Sequence, residues 1–275
     1  MLSGLNVGTQ LQPRATSIPR WEWVLERSGM HSLNTRRTCA RNMTTCLLNQ
    51  QPVFPPDREQ KESRPLVKMC GVTSARDAAL ASEAGADFVG MILWPNSRRS
   101  IPLPVAKEIS KVARENGAKP VGVFVDDNAD TILRVSEATD LEFVQLHGNG
   151  SRMAFPIVRR ENRVIFVLHA NEDGSLLNSI SDEDCSLVDW ILVDSAKGGS
   201  GKGFNWSRFK LPPITSKHGW LLAGGINPMN VSEALSALKP HGVDVSSGIC
   251  GPDGIQKDES LMLSFMNAVR FVNHQ

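Results

Sequence analysis

The sequence predicts an α/β protein, a single (β/α)₈ TIM barrel over residues 64–275 that follows a disordered targeting segment and linker over residues 1–63. From residue 64 onward, short apolar runs alternate with helical patterns at about 25 residues per repeat. The runs are continuously apolar, which is typical of parallel strands buried on both faces. Eight such runs predict a closed barrel. An open doubly wound sheet is the alternative fold.

Each expected strand is a short apolar segment bounded by polar or glycine-containing turns. The strands are predicted at 66–70, 87–93, 121–125, 143–146, 164–168, 190–193, 221–223 and 243–245. A helix is expected after every strand but one, at 74–84, 105–113, 128–138, 153–160, 176–180, 228–238 and 260–272.

The ends of several helices are predicted from capping residues. Ser74, with Asp77 three residues later, can cap the first helix, and Gly117 closes the second. Asn227 is expected to cap the helix that follows the seventh strand, with Pro228 at its first position. The loop at 197–203 is rich in glycine and suits a mobile cover over a substrate.

The first 63 residues differ in composition from the rest of the chain. Up to Pro56 every basic residue is an arginine, Ser and Thr are frequent, and the only acids are Glu22 and Glu26. This composition is typical of an organelle transit peptide, and residues 52–64 are expected to be a linker. An ordinary disordered tail is the alternative.

Composition argues against several classes of function. The net charge is +1 and charged residues make up 21% of the chain, so no strong basic field indicates a nucleic acid or a membrane surface as partner. No apolar run approaches the ~20 residues that span a bilayer. The five cysteines lack paired CxxC spacing, which favours free thiols in a reducing compartment over disulfides or structural zinc.

Two small-residue turns near the C-terminus predict a phosphate site. Gly224 and Gly225 follow the seventh strand, and Ser247 and Gly248 follow the eighth. At the carboxyl ends of neighbouring parallel strands, such turns bring bare backbone N–H groups together, where they can cradle a dianion. The other interpretation is that these are ordinary turn and packing glycines.

The residues that end the strands are the candidates for chemistry, because barrel enzymes act at the carboxyl face. These candidates are Cys70, Arg99, His147, Asp194 and Asp244. Cys70 could instead be a buried structural thiol, Asp194 a turn former and Arg99 a solvated charge beside Arg98. Lys68 faces the same side as Cys70, but one layer deeper, so it is not expected to stabilise a thiolate. No ligand set for a metal is evident around His147.

Motifs at nearly every strand end resemble the phosphoribosylanthranilate isomerase family. They include VKMCGVT at 67–73, WPNSRRSI at 94–101, VQLHG at 144–148, ILVDS at 191–195, LAGGINPMNV at 222–231 and GVDVSSGI at 242–249. The resemblance runs from residue 67 to the C-terminus. It implies a (β/α)₈ barrel that converts the phosphoribosyl aminal of anthranilate into the 1-amino-1-deoxyribulose 5-phosphate by an Amadori rearrangement. It also implies that no metal or other cofactor is needed.

The resemblance also implies roles for individual residues. Cys70 would be the general base, Asp194 the general acid, and Arg99 the ligand of the anthranilate carboxylate. Asp244, Gln145 and His147 would support or contact the substrate. Phosphate would be held at Gly224, Gly225, Ser247 and Gly248, with Gly201 and Lys202 closing over it. These roles require a raised pKa for Asp194 and lead us to expect a lowered pKa for Cys70.

Some positions depart from the family pattern. Ile249 and Cys250 stand where the family often has a carboxylate, FNW replaces FDW at 204–206, and Pro102 to Pro104 replace a common Ser-Pro. None of these involves the expected acid or base.

The alternatives are other phosphosugar barrels, namely an epimerase or an indole-glycerol-phosphate synthase-like lyase, and a non-catalytic barrel that binds a phosphate ligand. A metal-dependent epimerase needs convergent His and Asp ligands, which are not evident. The expected partner is a small phosphosugar–anthranilate substrate, with no nucleic acid and no membrane, and the protein is expected to be a monomer or homodimer. The pathway that the resemblance implies, together with a transit leader, favours a chloroplast over a mitochondrion, whereas the composition of the leader alone does not distinguish them.

Overall fold

The computed structural model describes residues 64–196 and 203–272. Its helices and strands alternate in the order β1 Leu66–Met69, α1 Ala75–Ala84, β2 Phe88–Ile92, α2 Leu103–Glu115, β3 Lys119–Phe124, α3 Ala129–Ala138, β4 Phe143–Leu146, α4 Asn149–Met153, α5 Phe155–Val158, β5 Arg163–Ala170, α6 Asp182–Leu187, β6 Trp190–Ser195, β7 Trp220–Leu222, α7 Val231–Leu238, β8 Gly242–Val245 and α8 Glu259–Phe271. A short 3₁₀ helix, Ser247–Ile249, follows β8.

The strands form the predicted closed barrel. Each strand from β1 to β8 pairs in parallel with its neighbour in the chain, and β8 pairs with β1. In this register Lys68 lies beside Asp244 and His169 lies beside Asp194. Both pairs consist of inward-facing residues, so strand register alone places chemically active side chains next to each other inside the barrel.

Two apolar layers hold the barrel. One lies between the strands and the surrounding helices, and the other fills the amino-terminal half of the barrel interior. In the interior layer, the ring of Phe88 makes edge-to-face contacts with Phe143 at 5.3 Å and Trp190 at 6.3 Å. Apolar side chains therefore fill the amino-terminal half of the barrel interior, and the polar side chains above this layer face the carboxyl end of the barrel.

Several helix predictions are confirmed and one is wrong. Ser74 caps α1, accepting a hydrogen bond from Asp77 N at 3.1 Å, as expected. The helix predicted at 176–180 does not form, and α6 begins only after Ser181, which caps it. The reason lies in Asn178, whose side chain accepts from His169 N at 2.8 Å and donates to Val167 O at 3.0 Å. These bonds hold the segment against β5 in a non-helical conformation.

Two other helices differ in their bounds. The predicted helix at 153–160 is divided into α4 and α5, with Pro156 in the first turn of α5. The helix after β7 begins at Val231 and not at Pro228, so Asn227 is not its N-cap. Instead Asn227 accepts from Met229 N at 2.8 Å in a separate turn, and Asn230 ties that turn to Gly225 O at 2.9 Å. The turn is thereby fixed at the mouth of the barrel.

Within the two described stretches, no helix has the length and apolar character needed to cross a bilayer.

Candidate active site

A cavity of about 490 Å³ opens at the carboxyl ends of the strands. Its walls contain six of the residues predicted from the sequence, namely Cys70, Arg99, Gln145, His147, Asp194 and Asp244. They come from β4, β6 and β8, from the residues directly after β1 and β4, and from the loop after β2, so the closure of the barrel brings them together.

Cys70 follows β1 and is 5% exposed. Beneath it, the fully buried Lys68 forms an ion pair with Asp244, with Nζ and Oδ1 at 2.8 Å. The Lys68 ammonium also interacts with the thiol, so the expectation that Lys68 would not stabilise the thiolate is wrong. A lysine side chain is long enough to reach the layer above its own Cα.

The pKa of Cys70 is raised, and the lowered pKa that we expected is therefore wrong for this structure. Burial of the thiol is the main cause, Lys68 opposes it, and the negative charge of Asp244 adds to it. One buried ammonium that is already paired with a carboxylate does not outweigh the loss of solvent around a thiolate.

Asp194 ends β6 and is buried. Burial and, to a smaller extent, the negative charge of Asp244 raise the pKa of its carboxyl to about 7, against a backbone hydrogen bond from Ser195 N at 2.7 Å and the charge of Lys68. The raised pKa expected for Asp194 is confirmed. A carboxyl with this pKa is protonated in a substantial fraction of molecules near neutrality and can act as a general acid.

Two imidazoles lie beside Asp194. His147 Nε2 is 3.8 Å from Asp194 Oδ2 and 3.3 Å from His169 Nε2. Burial lowers the pKa of His147 to about 3 and that of His169 to about 4, so both rings are neutral at pH 7. The contact between His147 and Asp194 is therefore not an ion pair.

Gln145 and Arg152 contact these rings on their other sides. Gln145 Nε2 is 3.2 Å from His147 Nδ1, and Arg152 Nη1 is 3.4 Å from His169 Nδ1. Arg152 also donates to His147 O at 2.5 Å. Gln145 Oε1 is buried and makes no hydrogen bond within the part of the chain that is described.

Arg99 and Arg98 differ in environment, although they are neighbours in sequence. Arg99 is 9% exposed and donates from Nη1 to Gly254 O at 2.9 Å. Its Nε is buried and has no hydrogen-bond partner among the described residues. Arg98 is on the exposed side and donates to Asp253 O at 3.1 Å. The interpretation of Arg99 as a solvated charge is wrong, because this side chain is buried in the cavity wall.

The two small-residue turns pack against each other. Gly224 and Gly225 have φ of +87° and +68°, a conformation that other residues rarely adopt. A Cβ on Gly248 would lie 2.1 Å from Ile226 O, so the second turn touches the first. Within 64–196 and 203–272, the backbone N–H groups of Gly225, Ser247 and Gly248 donate to no other residue. Gly201 and Lys202 lie outside the described residues.

Four residues of this site were not assigned a role from the sequence. They are Lys68, Arg152, His169 and Lys257. Lys257 is buried and donates from Nζ to Ser246 O at 2.9 Å, with Cys250 Sγ at 3.3 Å. It stands in a polar loop that gives no signal of burial. His169 is visible in the sequence near the end of β5, as Asp194 is near the end of β6, but a pair with His147 was too weak a signal for a metal site and no other role was assigned to it.

The chain is similar in sequence and in structure to known proteins. The model of the family described as PRAI, N-(5'phosphoribosyl)anthranilate (PRA) isomerase, matches residues 67–268. The chain is 66% identical over 234 residues to N-(5'-phosphoribosyl)anthranilate isomerase 1, chloroplastic, of Arabidopsis thaliana, covering 85% of each chain. Phosphoribosyl anthranilate isomerase of Thermus thermophilus is similar in structure, with a TM-score of 0.64 at 30% identity, over 75% of this chain and 99% of that one.

A further solved structure carries a ligand. It is a phosphoribosyl anthranilate isomerase in complex with reduced 1-(o-carboxyphenylamino)-1-deoxyribulose 5-phosphate. This chain is similar to it with a TM-score of 0.58 at 30% identity, over 75% of this chain and 99% of that one.

Proposed function

The chain belongs to the N-(5'-phosphoribosyl)anthranilate isomerase family, and on that premise we propose that Cys70 and Asp194 carry out the proton transfers of its reaction. The protein is an isomerase of tryptophan biosynthesis that acts on N-(5'-phosphoribosyl)anthranilate. Its location is the chloroplast, in line with the relatives in Arabidopsis that are named chloroplastic.

Asp194 is the general acid of the proposed mechanism. Its proton goes to the ring oxygen of the ribose, the C1′–O bond breaks toward that oxygen, and the anthranilate nitrogen supplies the electron pair for a C=N bond. The observation that carries this role is the pKa of about 7, which keeps a transferable proton on a buried carboxyl in the cavity.

Cys70 is the general base. Its thiolate removes the proton from C2′ of the Schiff base, and the electrons of that C–H bond form an enolamine, which tautomerises to the ketone. The thiol is the inward-facing group at the end of β1 and lines the same cavity as Asp194. Lys68 supports this role, since its charge favours the thiolate against the cost of burial.

The free enzyme then has an acid with a pKa near 7 and a base with a raised pKa. The productive form, with Cys70 ionised and Asp194 protonated, is a minority of molecules at any pH. For such a pair kcat/KM is highest at pH values between the two pKa values. At pH values below the pKa of Asp194, kcat/KM decreases, because the fraction of Cys70 present as thiolate keeps falling while Asp194 is already protonated.

We propose that Arg99 binds the carboxylate of the anthranilate ring. Its Nε is buried in the cavity wall without a partner, and its Nη1 is held by Gly254 O. A carboxylate in the cavity would accept from the terminal N–H groups of this guanidinium, which is oriented before the substrate arrives. Asp244 would act through Lys68, to which it is paired.

We propose that the phosphate binds at the paired turns, on the N–H groups of Gly225, Ser247 and Gly248 and beside Gly224. The unused donors and the N-terminus of the 3₁₀ helix at Ser247 support this location. Gly201 and Lys202 remain predicted as the cover of this site. The substrate is a small phosphosugar–anthranilate, like the ligand of the similar solved structure.

The experiment that tests the proposal follows the loss of anthranilate-type fluorescence when freshly generated phosphoribosylanthranilate is added. Cys70→Ala is expected to lower kcat at least about 10²-fold, because a positioned base contributes roughly that much. Binding of the reduced product analogue should remain within about threefold of the parent. A Cys70→Ala variant with near-normal turnover would remove the base assignment, and Cys185→Ala, a buried thiol outside the cavity, is the matched control.

A further inference from the structure

The contacts of the side chains around His147 favour one set of proton positions. Arg152 is the starting point, because a guanidinium has donors only. Its Nη1 lies 3.4 Å from His169 Nδ1, so an N–H on that nitrogen would point at a cation. His169 is neutral, with a pKa lowered to about 4, and it must therefore carry its single proton on Nε2.

The second step concerns the contact between the two rings. His169 Nε2 and His147 Nε2 are 3.3 Å apart, and one of the two nitrogens has to accept. Since His169 Nε2 carries the proton, His147 Nε2 is the acceptor. His147 is also neutral, so its own proton is on Nδ1.

The third step concerns Gln145. An N–H on His147 Nδ1 needs an acceptor, and the nearest atom of Gln145 is Nε2 at 3.2 Å. The other end of this amide, Oε1, is buried and without a partner among the described residues. A half-turn of the amide solves the first problem, because Oε1 then accepts from His147, and it places the Nε2 donor at the buried position that Oε1 now holds.

We propose that Arg152 and His169 are positioning residues that fix His147 in its Nδ1–H form, so that neither imidazole can take the proton of Asp194. His147 Nε2 lies 3.8 Å from Asp194 Oδ2 and would be the nearest base for that proton. The N–H on His169 Nε2 donates to the lone pair of His147 Nε2, which is therefore occupied. The other nitrogen of His169, Nδ1, faces Arg152. The acidic proton stays on Asp194 until a substrate oxygen arrives.

Other groups also act on Asp194. Asp244 on β8 and Lys68 on β1 contribute charge, and Ser195 N donates to the carboxylate. These groups set how strongly the carboxyl holds its proton. His147 and His169 determine whether an imidazole nitrogen beside this carboxyl is free to accept its proton.

The first test is the tautomer itself, measured on the full chain. In protein labelled with ¹⁵N-histidine, long-range ¹H–¹⁵N spectra at about pH 7 should show His147 protonated on Nδ1 and unprotonated on Nε2. The His147 signals are assigned by their loss in His147→Gln. His147 protonated on Nε2 would overturn the inference, and this measurement is independent of any catalytic role.

The second test compares two substitutions of His169. His169→Gln keeps an N–H donor near the position of Nε2, and His169→Phe keeps a ring of similar size without a donor. The Phe variant is expected to lose about tenfold in kcat with KM within about twofold, and the spectra of its His147 should show a mixture of the Nδ1–H and Nε2–H forms. The Gln variant should recover most of kcat and keep the Nδ1–H form.

Two outcomes of this comparison would contradict the inference. One is a Phe variant with the parent's kcat, and the other is a Gln variant as impaired as Phe. If the Phe variant does not fold, the parent spectrum and the Gln variant still decide. His218→Gln is the control, since His218 contacts Arg163 at the amino-terminal end of the barrel. The inference rests on the acid role of Asp194. If Asp194→Asn kept full activity, that role would fail, while the tautomer result would stand.

Discussion

Lys68 is the residue on which the electrostatics of the barrel interior depend. Its ammonium is fully buried, is paired with Asp244 at 2.8 Å, and interacts with the thiol of Cys70. A buried pair of this kind adds little net stability, because desolvation offsets most of the attraction. Its more direct effect is to hold a positive charge next to a thiol that burial would otherwise keep protonated.

Lys68→Met is expected to raise the pKa of Cys70 further, because the substitution removes the charge that favours the thiolate. The rate of Cys70 alkylation by iodoacetamide, measured against pH, reports this pKa. The control is Lys68→Met with Asp244→Asn, since Lys68→Met alone leaves a buried carboxylate unpaired at a cost of about 3–5 kcal/mol. An unchanged or lowered thiol pKa in the single variant would show that Lys68 does not act on Cys70.

Asp194→Asn is expected to abolish most turnover and to stabilise the protein above neutral pH. The folded pKa of about 7 is above the ordinary value, so the carboxyl stabilises the fold at low pH and loses that contribution as pH rises through about 7. An amide has no such dependence. In urea unfolding at about pH 5 and about pH 8, the free energy of unfolding of the parent should fall from pH 5 to pH 8 by ~1–3 kcal/mol more than that of the variant. Parallel pH dependence of the two proteins would contradict the raised pKa.

At the level of elements, β2 makes room for the thiol through a glycine. A Cβ on Gly90 would lie 2.8 Å from Cys70 Sγ and 3.0 Å from Lys68 Nζ. The strand therefore lacks a side chain at the one point where β1 projects two functional groups. Gly90 has no positive φ, so the requirement is for space and not for backbone conformation.

Gly90→Ala is expected to displace the thiol and the ammonium together, lowering kcat at least about tenfold and the free energy of unfolding by ~1–3 kcal/mol. Gly251→Ala is the matched control, because a Cβ there would come no closer than 3.9 Å to any residue other than its two chain neighbours. Turnover and urea unfolding of both variants give the comparison. A Gly90→Ala variant as active as Gly251→Ala would mean that this space is not needed.

The elements also show what could be predicted from the sequence and what could not. Strands and their order follow from continuous apolar runs, and the cavity residues follow from the strand ends, because barrel closure brings those ends together. The helix at 176–180 was mispredicted because Leu176 to Ile180 has a helical apolar spacing, while the conformation of this segment depends on the long-range bonds of Asn178 to β5. The pKa of Cys70 was mispredicted for the same reason, since burial is a property of the fold and is not visible in the motif.

For the molecule as a whole, the start of the barrel domain at residue 64 stays a prediction. Arg64 supports it, since its guanidinium donates to the carboxylate of Asp87 at 2.7 Å and to Gly85 O at 2.7 Å, on the loop between α1 and β2. Asp87 in turn accepts from Val67 N at 2.8 Å. Residue 64 is thus tied to the barrel on the side where β1 enters it.

A chain that begins at Arg64 is therefore expected to fold and to keep the kcat and KM of the full chain, because the cavity and its supports come from residues after that point. A chain that begins at Leu66 loses the Arg64 contacts, and its free energy of unfolding should fall by up to ~1 kcal/mol, with kcat unchanged. Thermal unfolding and turnover of both chains, beside the full protein, measure this. Loss of turnover in the chain from Arg64 would place part of the catalytic domain within residues 1–63.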